Sequence, residues 1–89
     1  MSELTTLINI GPVISKKLQK IGIDSAEEFL KRDPYEVFEE LLIRVDPTLC
    51  RCALGSIIGA KEGVKWNIAM KEAVPKFEKE HPGHKWVRC

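Results

Sequence analysis

Asn9, Ile10, Gly11 and Val13, followed one turn later by Lys16 and Lys17, are the residues whose types and spacing could do chemistry. That chemistry is electrostatic. Backbone amides at a helix N-terminus, with the positive end of the helix dipole behind them and two lysines beside them, can hold a phosphate. The residues fall in Leu7-Ile8-Asn9-Ile10-Gly11-Pro12, which reads as a tight hairpin between two helices. Gly11 is expected to supply the backbone freedom of the turn, and Asn9 is among the few non-glycine types that tolerate a positive φ. Pro12 suits the first position of the next helix, where its missing N–H costs nothing. The Asn9 side chain is expected to point toward any bound phosphate. A structural reading stands beside the chemical one, in which the hairpin only joins two helices and the lysines are a solvated face.

Other groups are less well placed for chemistry. Cys50-x-Cys52, His81-x-x-His84 and Cys89 invite a metal reading. Zinc, however, favours cysteines two to four apart in a turn with a matching second pair, and cysteines two apart on one helix diverge. No metal and no cofactor is therefore expected, and Cys50 is read as a small core residue. The sequence holds no nucleophile with a nearby base, no evident carboxylate pair and no phosphate-loop motif, so an enzyme is not expected. Arg44, Arg51, Lys61 and Lys65 add positive charge, whereas Glu27, Glu28, Glu36, Glu39 and Glu40 make the middle of the chain acidic. Any contact with DNA should therefore be confined to the hairpin side. Trp86 reads either as an exposed anchor for a partner or as a residue that folds back on the helices.

The totals bound the function classes. Eighty-nine residues, 44% hydrophobic and 30% charged, describe one small folded domain. A formal net charge of +1 excludes a protein that coats DNA by bulk charge, because such affinity comes from neutralising many phosphates. Met1-Ser2-Glu3-Leu4 has neither a basic nor an apolar leader region. No apolar run approaches the roughly 18 residues of a membrane span. A cytoplasmic location with reduced thiols is expected, and no small-molecule substrate is evident.

Helix signals follow in order along the chain. A short first helix is expected over residues 3–8, and a second over 12–21 with Val13, Ile14, Leu18 and Ile21 as its apolar stripe. Gly22 takes the left-handed position that ends it. A third helix starts at a capping box, at Asp24 or preferably Ser25, and buries Phe29 and Leu30. Asp33-Pro34 starts a fourth with Val37, Phe38, Leu41, Leu42 and Val45 inward. Asp46-Pro47 repeats that signal for a fifth, central helix over 47–62. Gly55 and Gly59 lie four apart within it, which predicts close approach of another helix, and Gly63 reads as its C-cap. Trp66 is expected in the core. Asn67 is expected to cap a helix over 68–74 that Pro75 interrupts, and Phe77 can still reach the core. Residues 1–80 thus read as the domain and residues 81–89 as a loosely held tail.

The Leu7-to-Pro12 segment resembles the helix-hairpin-helix motif, whose hairpin amides commonly hold a nucleic-acid phosphate. That motif usually has glycine where Asn9 stands here. More widely, Leu7-x-Asn9-Ile10-Gly11-Pro12, Leu18, Ile21-Gly22-Ile23 and Ser25, then Cys50, Gly59-Ala60, Gly63-Val64 and Trp66-Asn67 resemble the C-terminal domain of the TfoX (Sxy) family. The family's leucine-proline step after the tryptophan is replaced by Ile68-Ala69-Met70, and its Leu-Tyr pair by Leu54-Gly55. The N-terminal half also resembles the small pathogenicity-locus helix-hairpin-helix family. The TfoX resemblance implies a role in competence or transcription and in DNA handling.

Two expectations follow. The fold is all-α, a compact bundle of five or six short helices with the hairpin at its N-terminus. The function is a non-enzymatic, DNA-associated module whose hairpin meets phosphate, or else a module that docks a protein partner or a second copy of itself.

Overall fold

The computed structural model describes residues 3–86, and its secondary structure is entirely helical. A single 3-10 turn at Leu4–Thr6 precedes α1 (Pro12–Lys20), α2 (Ala26–Leu30), α3 (Pro34–Arg44), α4 (Arg51–Glu62) and α5 (Trp66–Glu80). The all-α bundle expected from the sequence is thus the fold observed.

Helix boundaries follow local hydrogen bonding wherever a side chain can satisfy an orphan amide. Ser25 Oγ accepts from the Glu28 amide at 3.2 Å, making Ser25, not Asp24, the N-cap of α2. Asp33 Oδ1 accepts from the Tyr35 amide at 2.9 Å at the start of α3. Gly22 and Gly63 take φ of 87° and 76°. They end α1 and α4, with the following amides of Ile23 and Val64 reaching back to the Leu18 and Gly59 carbonyls at 3.0 Å each.

Several sequence expectations are corrected. The first helix is only the Leu4–Thr6 turn. Asp46-Pro47 does not open α4, which begins four residues later than expected, at Arg51. Asp46 instead accepts from the Thr48 amide at 2.9 Å and from the Thr48 hydroxyl, so the same side chain that resembles an N-cap closes a turn. Pro75 does not interrupt α5, which runs through it to Glu80. The carbonyl it leaves without a helical partner is that of Lys71, and both residues are exposed, so water can serve it. Leu30 and Val13 are exposed rather than buried, and Trp66 is not a core residue. Cys50 is only half-buried, at the N-cap of α4.

The core gathers Leu18 and Ile23 beside α1, Phe29 of α2, Val37, Phe38 and Leu41 of α3, Leu54, Ile57 and Ile58 of α4, and Ala73 and Phe77 of α5. Phe38 and Phe77 meet edge to face, with ring centres 5.3 Å apart. Residues 81–86 fold back over this pair. The His81 ring stacks on Phe77 at 4.2 Å, and Trp86 lies 5.3 Å from Phe77 and 6.1 Å from Phe38. The Trp86 indole donates to Glu78 at 3.2 Å, and the Arg51 guanidinium sits 5.3 Å over its ring. Trp86 therefore takes the second of its two readings, as a residue that packs on the helices.

Helices α4 and α5 form the main helical pair, and the two glycines of α4 make it possible. A Cβ at Gly55 would stand 2.5 Å from the Trp66 carbonyl oxygen and 2.9 Å from Met70 Cβ. One at Gly59 would stand 2.5 Å from the Val64 carbonyl oxygen and 2.6 Å from Asn9 Nδ2. The expected close approach is therefore real, and at Gly59 it involves the N-terminal hairpin as well as α5. Glycine to alanine within an exposed helix ordinarily stabilises by about 1 kcal/mol. At Gly59 the sign reverses: Gly59→Ala is expected to destabilise by about 2 kcal/mol in urea denaturation, and an unchanged or raised midpoint would contradict the packing described.

Candidate nucleic-acid interface

The hairpin is built by Asn9 rather than by Gly11. Asn9 carries the positive φ, 71°, whereas Gly11 has an ordinary extended backbone with φ of −96°. The Leu7 amide bonds to the Leu4 carbonyl at 3.0 Å and the Ile10 amide to the Leu7 carbonyl at 3.3 Å, which folds the chain tightly before α1. Ile10 is buried, so its side chain pins the hairpin to the core.

The Asn9 side chain turns inward, contrary to expectation. Its Nδ2 donates to the Val64 carbonyl at 2.8 Å, and its Oδ1 accepts from the Trp66 amide at 3.0 Å. Asn9 thus closes the turn between α4 and α5 and caps the first amide of α5 from a distant part of the chain. What remains at the outer rim is backbone. Gly11 is the N-cap of α1 and supplies no side-chain cap, and the first turn of α1 holds no acidic residue. A Cβ added at Gly11 would meet nothing within 4 Å.

The lysines separate. Lys16 is exposed, as a phosphate contact requires. Lys17 forms an ion pair with Asp46, which ties α1 to the turn before α4, and both side chains are more than three-quarters covered. Lys17 therefore acts inside the fold. The Lys17 ammonium, then the hydroxyl and amide of Thr48, hold the Asp46 carboxyl well below the ordinary aspartate value of 3.8.

The acidic side of the molecule is α3. Glu40 accepts from Arg32 at 2.9 Å and from Arg44 at 3.0 Å, and these bonds, Arg32 first, lower its pKa. With Glu36, Glu39 and Ile43 they line an open hollow of about 300 Å³. Of the other sequence-picked cations, Lys61 donates to the Leu30 carbonyl, Arg51 covers Trp86, and Lys65 is exposed at the start of α5 beside the Asn9 contact. Among the described residues no three His, Cys, Asp or Glu side chains gather as metal ligands, and Cys89 lies outside those residues. Among them, too, no helix is long and apolar enough to cross a membrane.

The hairpin, the glycine-seated α4–α5 turn and the all-helical core define a small helical domain with one backbone-rich edge. The chain belongs to the Cdd1 family, described as a pathogenicity locus, whose model matches residues 1–86. It is similar to the mitomycin resistance protein McrB of Streptomyces lavendulae, at 32% identity over 59 residues. That match covers 66% of this chain and 56% of the relative, so the chain spans little more than half of that protein's length. It is also similar to the crystal structure of an uncharacterized protein from Listeria monocytogenes, with a TM-score of 0.78 at 25% identity, covering 94% of this chain and 99% of that one.

The family match corrects the resemblance to the TfoX C-terminal domain, and the competence role it implied falls with it. The residues that carried the resemblance are explained by packing. Gly59 admits Asn9, Gly63 takes a left-handed backbone, and Trp66 begins the helix that Asn9 caps. A shared glycine and tryptophan spacing reports that constraint and not the family.

Two outcomes test this geometry. Asn9→Ala loses both hydrogen bonds and strains the left-handed backbone, with an expected loss of about 2–3 kcal/mol in urea denaturation. Asn9→Gly keeps the turn and loses only the bonds, so its loss should be visibly smaller; equal losses would remove the backbone contribution. The lowered pKa of Asp46 makes the second. Its ionised form is favoured in the folded chain, so its contribution is present above pH 3.8 and is lost as the pH falls below it. Asp46→Asn should therefore flatten the acid limb of stability against pH and leave its shape at neutral pH unchanged; a parallel acid limb would count against the ion pair.

Proposed function

We propose that this chain is a non-enzymatic nucleic-acid-associated module whose N-terminal hairpin holds a backbone phosphate, with Gly11, Val13 and Lys16 as the contacts. The observation that carries this reading is Gly11. The fold does not ask for glycine there, because its φ is ordinary and a side chain would meet open space. Serine or aspartate at this N-cap would add a side-chain acceptor that glycine lacks, for a gain of roughly 0.3 kcal/mol. A bare backbone at an uncapped helix start suits a ligand that must come close to the amides. The inward turn of Asn9 leaves that approach open, and exposed Lys16 supplies a cation one turn on.

The near-neutral total charge is compatible with a contact of this size, since one or two phosphates need only a local patch. Lys17 is left out of the contact set because Asp46 holds it. Substituting Lys17 together with Lys16 would confound binding with folding, since Lys17→Glu would set two carboxylates face to face. The single change Lys16→Glu is the clean probe.

The test pairs stability with binding to a fluorescent DNA duplex at two salt concentrations. Gly11→Ala should change stability by no more than about 0.5 kcal/mol, yet weaken binding several-fold, and Lys16→Glu should weaken it further and reduce the salt dependence. DNA binding that is absent in the unmodified protein, or unaltered in both variants, would overturn the reading.

A further inference from the structure

We propose that Trp66 is a stacking platform for an unpaired nucleobase, which makes single-stranded nucleic acid the preferred ligand of the hairpin edge. This rests on the reading of the hairpin as a phosphate contact and adds a base contact to it.

Trp66 is the first residue of α5 and is 41% exposed, in a residue type that is highly buried on average. The contrast with Trp86 is direct. Trp86 contacts Phe38, Phe77 and His84, donates its indole N–H to Glu78 and lies under Arg51. Among the described residues the Trp66 ring meets no aromatic ring and no cation, and its indole N–H has no hydrogen-bond partner.

Its backbone, by contrast, is held firmly. The Trp66 amide donates to Asn9 Oδ1 at 3.0 Å, and Asn9 fixes the preceding turn through Val64 at 2.8 Å. The Trp66 carbonyl lies where a side chain at position 55 would collide with it at 2.5 Å. Two glycines and an asparagine therefore seat an exposed ring on a rigid base, tied to the hairpin through Asn9, two residues before Gly11. Ordering the platform costs little at the moment of binding, which is the condition for an effective contact.

The charge around the ring suits a polyanion. Lys65 precedes it and is exposed, Lys16 is exposed on α1, and neither α1 nor α5 carries an acid in its first turn. Glu62, at the end of α4, is the nearest acid along the chain. An exposed aromatic face with a lysine next to it in the chain can bind bases without regard to sequence, because every base has a stacking face. In a duplex those faces are covered by neighbouring pairs, so stacking on Trp66 selects an unpaired strand or a frayed end.

The experiment titrates the full-length protein into labelled oligothymidylate and, separately, into a labelled blunt hairpin duplex of equal charge, following anisotropy. The single strand should bind more tightly. Trp66→Ala should weaken single-strand binding about tenfold and leave duplex binding within about twofold. Trp66→Phe, which keeps a stacking face and guards against a folding artefact, should retain most of the single-strand affinity. If duplex and single strand bind alike and Trp66→Ala matches the unmodified protein while Lys16→Glu still loses binding, the platform is overturned and the hairpin reading stands. If no oligonucleotide binds, both fall. If sedimentation shows the unmodified protein self-associating and Trp66→Ala monomeric, with single-strand binding unaltered, the ring is a protein contact and the proposal is overturned.

Discussion

A single carboxamide links the two ends of this fold. Asn9 enters the left-handed region, reverses its side chain into the molecule and bonds with both its nitrogen and its oxygen to the turn between α4 and α5. That reach requires the absence of a side chain at Gly59, where a Cβ would collide with Asn9 Nδ2 and the Val64 carbonyl together. Three features that look separate along the chain are therefore one constraint. The hairpin needs Asn9, Asn9 needs Gly59, and the turn that Gly63 creates supplies the groups that Asn9 satisfies. Removing the carboxamide leaves the Val64 carbonyl and the Trp66 amide without these partners, and the cost of its loss lies there.

The same constraint explains how the hairpin edge acquires its character. A glycine at position 9 would form the turn equally well but would leave the Val64 carbonyl and Trp66 amide without partners. With Asn9 directed inward, the rim beyond it is left to the Gly11 backbone and Lys16, while Lys17 is drawn across to Asp46. The acidic residues of α3 occupy another part of the surface and are partly neutralised by Arg32 and Arg44. Charge is thus sorted by ion pairing, leaving a chain of nearly balanced composition with an edge free of carboxylates in its helix starts.

Much of the fold was legible because its signals are local. Ser25, Asp33, Gly22 and Gly63 each act through atoms two to four residues away, and each marks a real helix end. The glycine stripe of α4 was legible as close approach because glycine in a helix interior is costly without a partner. What misled was chemistry with two local outcomes. Asp46-Pro47 has the residues of an N-cap but spends its carboxylate on Thr48 and Lys17, and the latter lies 29 residues away. Pro75 removes one helical bond and crowds the Lys71 carbonyl, and the exposure of both residues to water lets α5 run through it. At the candidate site, the tolerance of Asn9 for positive φ was legible, but not which of Asn9 and Gly11 would use it. The direction of the Asn9 side chain was settled by a partner 55 residues away. The exposure of Trp66 was hidden for a similar reason, since an aromatic beside an apolar helix reads as core until the packing of that helix is known.

That separation has a kinetic side. Most contacts in a helical bundle form between residues close in the chain, which lets such domains fold quickly. The Asn9 bridge spans 55 and 57 residues of the 89 in the chain. Closing so long a loop carries an entropic cost that local helix formation does not offset. On a ribosome residues 9–11 emerge well before the Val64 and Trp66 groups that fix them. The hairpin edge is accordingly among the last parts of the molecule to reach its final form, and its presence reports that the turn between α4 and α5 has closed onto the start of α1.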